Sequence, residues 1–287
     1  MQEADEIAGP PRVRWLGLLL ALLVAGCSSL ESNAERNRHA DALAAQAGLQ
    51  RATLELDGFV LTSFQRITRA DLPLHLYIEG DGFAWRSRSQ PSDDPTPRRA
   101  LGLALAAADP GPNVVYLARP CQFTSGPRCT LAYWTGRRFA EDVVVTMDQA
   151  VSQYAARAPG QGIELIGYSG GGAIAVLLAA RRDDVLSLRT VAGNLDQAEV
   201  NRLHKVTPMP ESLNPIDVAS QVAGIPQIHY SGSDDKVIPP GIAQRFVARA
   251  GGECARAITL AGLNHEGDWA SRWPALLATT PECSPAR

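Results

Sequence analysis

The sequence is short of the features that mark several functional classes. It has no excess of positive charge: 27 Lys and Arg stand against 30 Asp and Glu, a formal net charge of −3, and no basic run interrupts the balance. That argues against a nucleic-acid surface. Long hydrophobic runs are missing as well. The one sustained apolar stretch, residues 15–25, is shorter than the roughly 20 residues a bilayer-spanning helix needs. Histidine and cysteine are scarce, 5 of each, and none sits at metal-ligand spacing with another, so no metal and no cofactor is assigned. His39 falls on a leader helix, His75 and His229 in strands, with His75 read as a packing residue, and His204 in a short insertion. No internal repeat divides the chain. What is present is ordinary for a globular protein, 45% apolar and 20% charged over 287 residues, enough for one large domain with a substantial core.

The apolar stretch follows Arg12 and Arg14 and reads as the core of a signal peptide. Residues 1–12 are acidic for the start of such a signal, and translation from Val13 gives a better one, which points to an over-extended start. The stretch ends in Val24-Ala25-Gly26-Cys27, which resembles the lipobox of bacterial lipoproteins. The resemblance implies that residues 1–26 are removed and that Cys27, carrying acyl chains such as palmitate, becomes the first residue of the mature chain. Several acyl chains on one residue give a stable membrane anchor, which a single chain does not. Ser28 in the next position resembles the outer-membrane sorting choice, so the expected location is the periplasmic face of the outer membrane. Setting Cys27 aside leaves Cys121, Cys129, Cys254 and Cys283, an even number suited to an oxidising compartment. Four cysteines allow three connectivities, of which nearest-neighbour pairing gives Cys121–Cys129 and Cys254–Cys283. The second bridge would pin the C-terminal tail, worth about 3–4 kcal/mol on a loop-entropy basis.

Residues 27–50 read as a polar tether followed by a leader helix over 36–49, with Ala40, Leu43, Ala44 and Ala47 at helical spacing and Gly48 closing it. A single domain follows over 51–287. Strands over 53–56 and 59–64 are joined by Asp57-Gly58, a two-residue hairpin signal. A third strand spans 74–78, an exposed loop 86–99, a helix 99–107 and a strand 113–118. Helices over 139–157, 170–181, 242–250 and 269–278 then alternate with strands over 163–168, 188–192, 225–230 and 257–260. A hairpin followed by this alternation predicts an α/β fold, a mostly parallel central sheet with helices on both faces. Residues 193–224 are the only room for a cap.

The chain is arranged around residues 163–180, IELIGYSGGGAIAVLLAA. Gly167-Tyr168-Ser169-Gly170-Gly171 fits G-x-S-x-G between a buried strand and an apolar helix, where a serine stands on a sharp turn at a helix N-terminus. Downstream, Gly232-Ser233-Asp234-Asp235-Lys236-Val237-Ile238-Pro239 follows one predicted strand and Leu263-Asn264-His265-Glu266 follows the last. Serine, acid and histidine in that order, each just past a strand end, resemble the α/β-hydrolase superfamily over roughly residues 50–280. The resemblance implies the α/β-hydrolase fold, Ser169 as nucleophile, His265 as base and Asp235 as acid, with Asp234 and Asp196 as rivals for the acid. It implies one oxyanion donor at the Gly170 amide. The other would come from Glu79-Gly80-Asp81-Gly82 after the third strand, from the amide of either Asp81 or Gly82. Glu79 stands where the family has a histidine, and the acidic Asp81 is expected to turn its side chain away from the oxyanion.

Trp85, Phe123, Tyr133 and Trp134 lie on the expected rim, either lining an acyl or aromatic pocket or packing the loop. With Gly193-Asn194-Leu195-Asp196 and Leu213-Asn214-Pro215, the chain resembles a group of largely uncharacterised proteobacterial α/β-hydrolase lipoproteins. The activity this implies is envelope hydrolysis of a carboxylic ester, small or lipid-like, through an acyl-enzyme, with the membrane as the other partner and no nucleic acid. The competing reading is a hydrolase-fold lipoprotein that binds or scaffolds without turnover, suggested by Glu79 and Asp81.

The lipobox resemblance has a direct test. Mature protein is expected to carry lipid on Cys27 and to fractionate with membranes, and Cys27→Ser to block attachment. Mass spectrometry finding an unmodified Cys27 in the wild type would refute it.

Overall fold

A computed structural model describes residues 32–283; the expectations for residues 1–31, Cys27 among them, lie outside the described residues. Helix α1 (Asn33–Gln46) leads through Gly48, at φ 69°, into the hairpin of β1 (Gln50–Leu56) and β2 (Phe59–Ile67). Asp57 and Gly58 close that hairpin at φ 48° and 80°, the left-handed pair a tight two-residue turn requires. There follow β3 (Leu74–Ile78), α2 (Leu101–Ala107), β4 (Asn113–Leu117), a 3₁₀ turn (Leu131–Trp134), α3 (Glu141–Ala155), β5 (Ile163–Tyr168), α4 (Gly170–Ala179) and β6 (Val185–Val191). The chain continues through α5 (Gln197–His204), a second 3₁₀ segment (Pro215–Val222), β7 (Gln227–Gly232), α6 (Gly241–Ala250), β8 (Ala255–Leu260) and α7 (Trp269–Leu277).

The eight strands form one sheet in the order β1-β2-β4-β3-β5-β6-β7-β8. β1 pairs antiparallel with β2, and β2 with β4; every other pair is parallel. The twofold side-chain alternation of a strand sends successive residues to opposite faces. Leu74, Leu76 and Ile78 of β3 enter one core with α3, α4 and α6, while Tyr77 enters the other with α1, α2 and α7. Both faces are therefore covered, as parallel strands require. Helix α4 is apolar all round because every one of its residues is buried. Helix α1 places Ala40 and Ala44 in the second core, so it packs with the strands and helices rather than standing apart as a leader.

The region 193–224 is more ordered than its polar sequence suggests. Asp196 caps α5 by accepting from the Glu199 amide at 3.1 Å, and also accepts from Asn214. Two disulfides, Cys121–Cys129 and Cys254–Cys283, follow the nearest-neighbour pairing. The second ties the chain beyond α7 to the start of β8.

His75 is not a packing residue. Its ring is partly exposed, and its Nδ1 lies 2.7 Å from Asp109 Oδ2. That oxygen also accepts from the Tyr77 hydroxyl at 2.6 Å, which in turn accepts from Trp273 Nε1 at 2.8 Å. Burial works against the imidazolium, but the bond to Asp109 and the charges of Asp109 and Glu164 outweigh it and raise the His75 pKa. The raised value makes His75 stabilising below the unfolded-state pKa of about 6.5, and that contribution is lost as pH rises through the higher folded value. The thermal midpoint of the wild type should therefore fall more steeply between mildly acidic and mildly alkaline pH than that of His75→Gln. Equal slopes in calorimetry would place the titrating group elsewhere.

Candidate active site

Ser169 leaves β5 and begins α4 with φ 50° and ψ −118°. A non-glycine residue in that region costs on the order of 1–3 kcal/mol, and close packing holds it there. A Cβ on Gly167 would lie 2.4 Å from the Gly171 carbonyl oxygen, and one on Gly171 would lie 2.1 Å from that of Ile78. The Ser169 side chain projects into a cleft of about 570 Å³ lined by His265, Asp81, Phe83, Trp85 and Arg98 among others.

The structure brings Ser169, Asp235 and His265 together. His265 Nε2 is 3.0 Å from Ser169 Oγ, and its Nδ1 is 2.8 Å from Asp235 Oδ2. An ionised carboxylate only accepts, so Nδ1 carries the proton and Nε2 is free to accept the serine hydroxyl. Asp235 is buried, and its other oxygen accepts from the amides of Val237 and Ile238 at 2.8 Å each. The His265 carbonyl accepts from Tyr168 OH and Trp269 Nε1, each at 3.1 Å. Neither positioning contact was legible beforehand, since Tyr168 occupies the freely variable place of G-x-S-x-G. The rival acids are elsewhere: Asp234 is exposed and accepts from Ser233, while Asp196 caps α5 and lies 3.3 Å from Arg245.

The loop after β3 holds two acids, each compensated differently. Glu79 is fully enclosed. Its oxygens accept from the amides of Gly80, Gly102 and Leu103 and from the Tyr116 hydroxyl. Burial raises its pKa against the pull of those bonds, and the carboxyl caps the start of α2. The Asp81 side chain, expected to turn away, instead faces the serine turn. A Cβ on Gly170 would meet its Oδ1 at 2.0 Å, so the carboxylate lies against Gly170, with Arg119 at 3.4 Å and Arg138 at 3.3 Å. These cations replace distance as the means of neutralising it. Burial pulls the Arg119 pKa down to about 10 against the attraction of Asp81, which leaves the guanidinium charged at neutral pH.

Gln122 fixes the same loop, donating to the Gly80 carbonyl at 2.9 Å and accepting from the Arg119 amide at 3.0 Å. In a trans peptide the N–H points opposite the carbonyl, so the Asp81 amide is turned away from Gln122. Among the described residues the N–H groups of Gly170, Asp81 and Gly82 all have no acceptor. Gly82, at φ 65°, is pressed against Pro95: a Cβ there would sit 2.1 Å from the Pro95 carbonyl oxygen. Of the four rim aromatics, Trp85 lines the cleft, whereas Phe123 and Trp134 are buried and Tyr133 packs edge-on to Phe59 at 4.8 Å. Phe83, on the loop after β3, takes their place. Among the described residues no group of three or more His, Cys, Asp or Glu has the arrangement of a metal site.

No family model matches the chain, and no curated protein matches it in sequence. Solved structures do match. A membrane phospholipase A, described as a bacterial virulence factor, superposes with a TM-score of 0.56 at 18% identity over 92% of this chain and 97% of that one. An α/β serine hydrolase homologue from Coxiella burnetii gives 0.55 at 16% identity over 79% and 93%. The esterase domain of a Rhodothermus marinus protein gives 0.53 at 16% over 80% and 96%. With its strand order, its serine turn and these superpositions, the chain has the α/β-hydrolase fold.

Proposed function

We propose that the protein is a serine hydrolase of carboxylic esters, held at the cell envelope through lipid on Cys27. The observation that carries the chemistry is the connected relay from Ser169 through His265 to Asp235, at 3.0 and 2.8 Å. Ser169 Oγ attacks the ester carbonyl as His265 Nε2 takes its proton, and Asp235 stabilises the imidazolium that results. The tetrahedral oxyanion accepts from two amides with no internal acceptor, those of Gly170 and Asp81. The bond from Gln122 to the Gly80 carbonyl supports the Asp81 amide as the second donor, with the Gly82 amide as its rival. The carbon–oxygen bond to the alcohol then breaks, and His265 returns its proton to the departing oxygen. Water attacks the acyl-enzyme with His265 again as base, releasing the acid and restoring Ser169. Structural neighbours named as an esterase domain and a phospholipase A support an ester as the substrate.

Ser169→Ala is expected to abolish both ester hydrolysis and labelling by a fluorophosphonate probe without moving the thermal midpoint. Asp235→Asn should lower kcat by about 10³–10⁴, because the imidazole then presents the wrong tautomer. Asp234→Asn and Asp196→Asn should cost far less rate. Persistent labelling at another serine, or Asp196→Asn proving the most damaging acid substitution, would overturn the assignment.

A further inference from the structure

The chain is acidic overall, with a net charge of −3, yet the cleft in front of Ser169 is lined by Arg98, Arg99 and Arg138. The carboxylates near them are already engaged. Glu79 is enclosed by four donors at the start of α2. Asp235 faces His265. Glu266 pairs with Arg99 at the exposed rim. Asp81 alone is shared by Arg119 and Arg138, whose Nε atoms are both closed to solvent and without a partner. Arg98 has no carboxylate and no hydrogen-bond acceptor among the described residues. Its guanidinium stacks over the Phe83 ring, 3.9 Å from the centroid. Stacking holds the plane of the guanidinium while leaving its N–H edge unengaged.

Arg98 is thus the lining guanidinium without a carboxylate, and a concave site focuses the field of such a charge on whatever enters it. The planar fork of arginine matches the paired oxygens of a carboxylate or a phosphate. Trp85 and Val237 give the same cleft an apolar wall. We propose that the substrate is an ester bearing an anionic group, carboxylate or phosphate, which Arg98 and Arg138 hold while the ester lies over Ser169. This rests on the ester-hydrolase reading for the chemistry and adds the class of substrate.

The test compares 4-nitrophenyl butyrate with 4-nitrophenyl hydrogen succinate, which is similar in acyl length but ends in a carboxylate, and with 1-butyrylglycerol 3-phosphate. In the full-length protein kcat/KM should be about tenfold higher for at least one charged ester, with the gap narrowing at high salt. Each charged ester is judged against its own neutral control, the succinate against the butyrate and 1-butyrylglycerol 3-phosphate against 1-butyrylglycerol, and the pair with the larger ratio distinguishes carboxylate from phosphate. Arg98→Gln should lower the value for the preferred charged ester about tenfold more than for the butyrate, chiefly through KM, and Arg98→Lys should retain part of the preference. Equal values for charged and neutral esters, or a preference that both Arg98→Gln and Arg138→Gln leave intact, would overturn the proposal. Binding to Ser169→Ala protein, which does not turn the esters over, reads the subsite separately. Tighter binding of the charged ester there, combined with no turnover of any ester by the wild type, upholds the subsite and removes the hydrolase reading.

Discussion

The site depends on one backbone contact, the seating of the Ser169 turn on the C-terminal end of β3. The fit leaves no room for a side chain: a Cβ on Gly171 would lie 2.1 Å from the Ile78 carbonyl oxygen and 2.6 Å from that of Glu79. The parallel pairing of β3 with β5, Ile78 opposite Gly167, brings the two strand ends level. The serine turn and the loop after β3 are thereby adjacent before any side chain is considered. The strained φ of 50° at Ser169 costs on the order of 1–3 kcal/mol. Behind it α4 buries Ile174, Val176, Leu177 and Leu178, each worth about 1.5–3 kcal/mol when removed from water. Burial exceeds strain several-fold, so the turn is held open at the surface by the helix beneath it.

The same closeness explains how the loop after β3 tolerates two acids. Glu79 is accommodated by hydrogen bonding, because the free amides at the start of α2 face it and a helix N-terminus favours a carboxylate. Asp81 is accommodated by charge, because two guanidinium groups reach it from either side. Arg119 and Gln122 belong to one loop whose backbone is left-handed at Cys121 and Phe123, φ 71° and 64°, with Cys121 in the disulfide to Cys129. A chain of contacts therefore runs from the bridge through Gln122 to the Gly80 carbonyl, and so to the direction of the Asp81 amide. The bridge thus reaches the cleft through the loop after β3. The aromatic residues beyond it, Phe123 and Trp134, fill the interior.

What was legible beforehand is what local pattern encodes. The hairpin, the β/α alternation and the strand-end positions of Ser169, Asp235 and His265 follow from turn chemistry and hydrophobic periodicity. Nearest-neighbour pairing found both disulfides because each joins segments already close along the chain. The compensation of Asp81 was not legible, since Arg119 lies 38 residues away and no local pattern links them. Arg98 was passed over because it falls in the stretch 86–99, read as an exposed loop, and Phe83 because the turn after the third strand was read for its backbone amides. The polar composition of 193–224 concealed α5, a short helix stabilised by the Asp196 cap rather than by an apolar face. Asp196 was weighed as a catalytic acid on its position after a strand, and the capping bond is the physical reason it is engaged elsewhere.

The remaining half of the relay is set by a second close contact of the same kind. A Cβ on Gly232 would lie 2.1 Å from the Leu263 carbonyl oxygen, and the Asp234 amide donates to that oxygen at 3.0 Å. The loop after β7, carrying Asp235, is thus joined through backbone to the loop after β8, carrying His265. Parallel pairing of β7 with β8 through Gly232 and Leu260 sets the level of that joint. A histidine on so short a loop has little freedom to search for its acid. The contact removes the need, because Asp235 is positioned by its bonds to the Val237 and Ile238 amides and His265 by bonds to its own carbonyl. The Gly232 contact thus does for the loops of Asp235 and His265 what the Gly171 contact does for the serine turn, building on the seating at β3. The long interval of sequence between Ser169 and His265 is bridged by the sheet itself: the end of β6 accepts from the Ser169 amide through the Val191 carbonyl at 2.9 Å, and the Asn194 amide donates back to the Ser169 carbonyl at 2.9 Å.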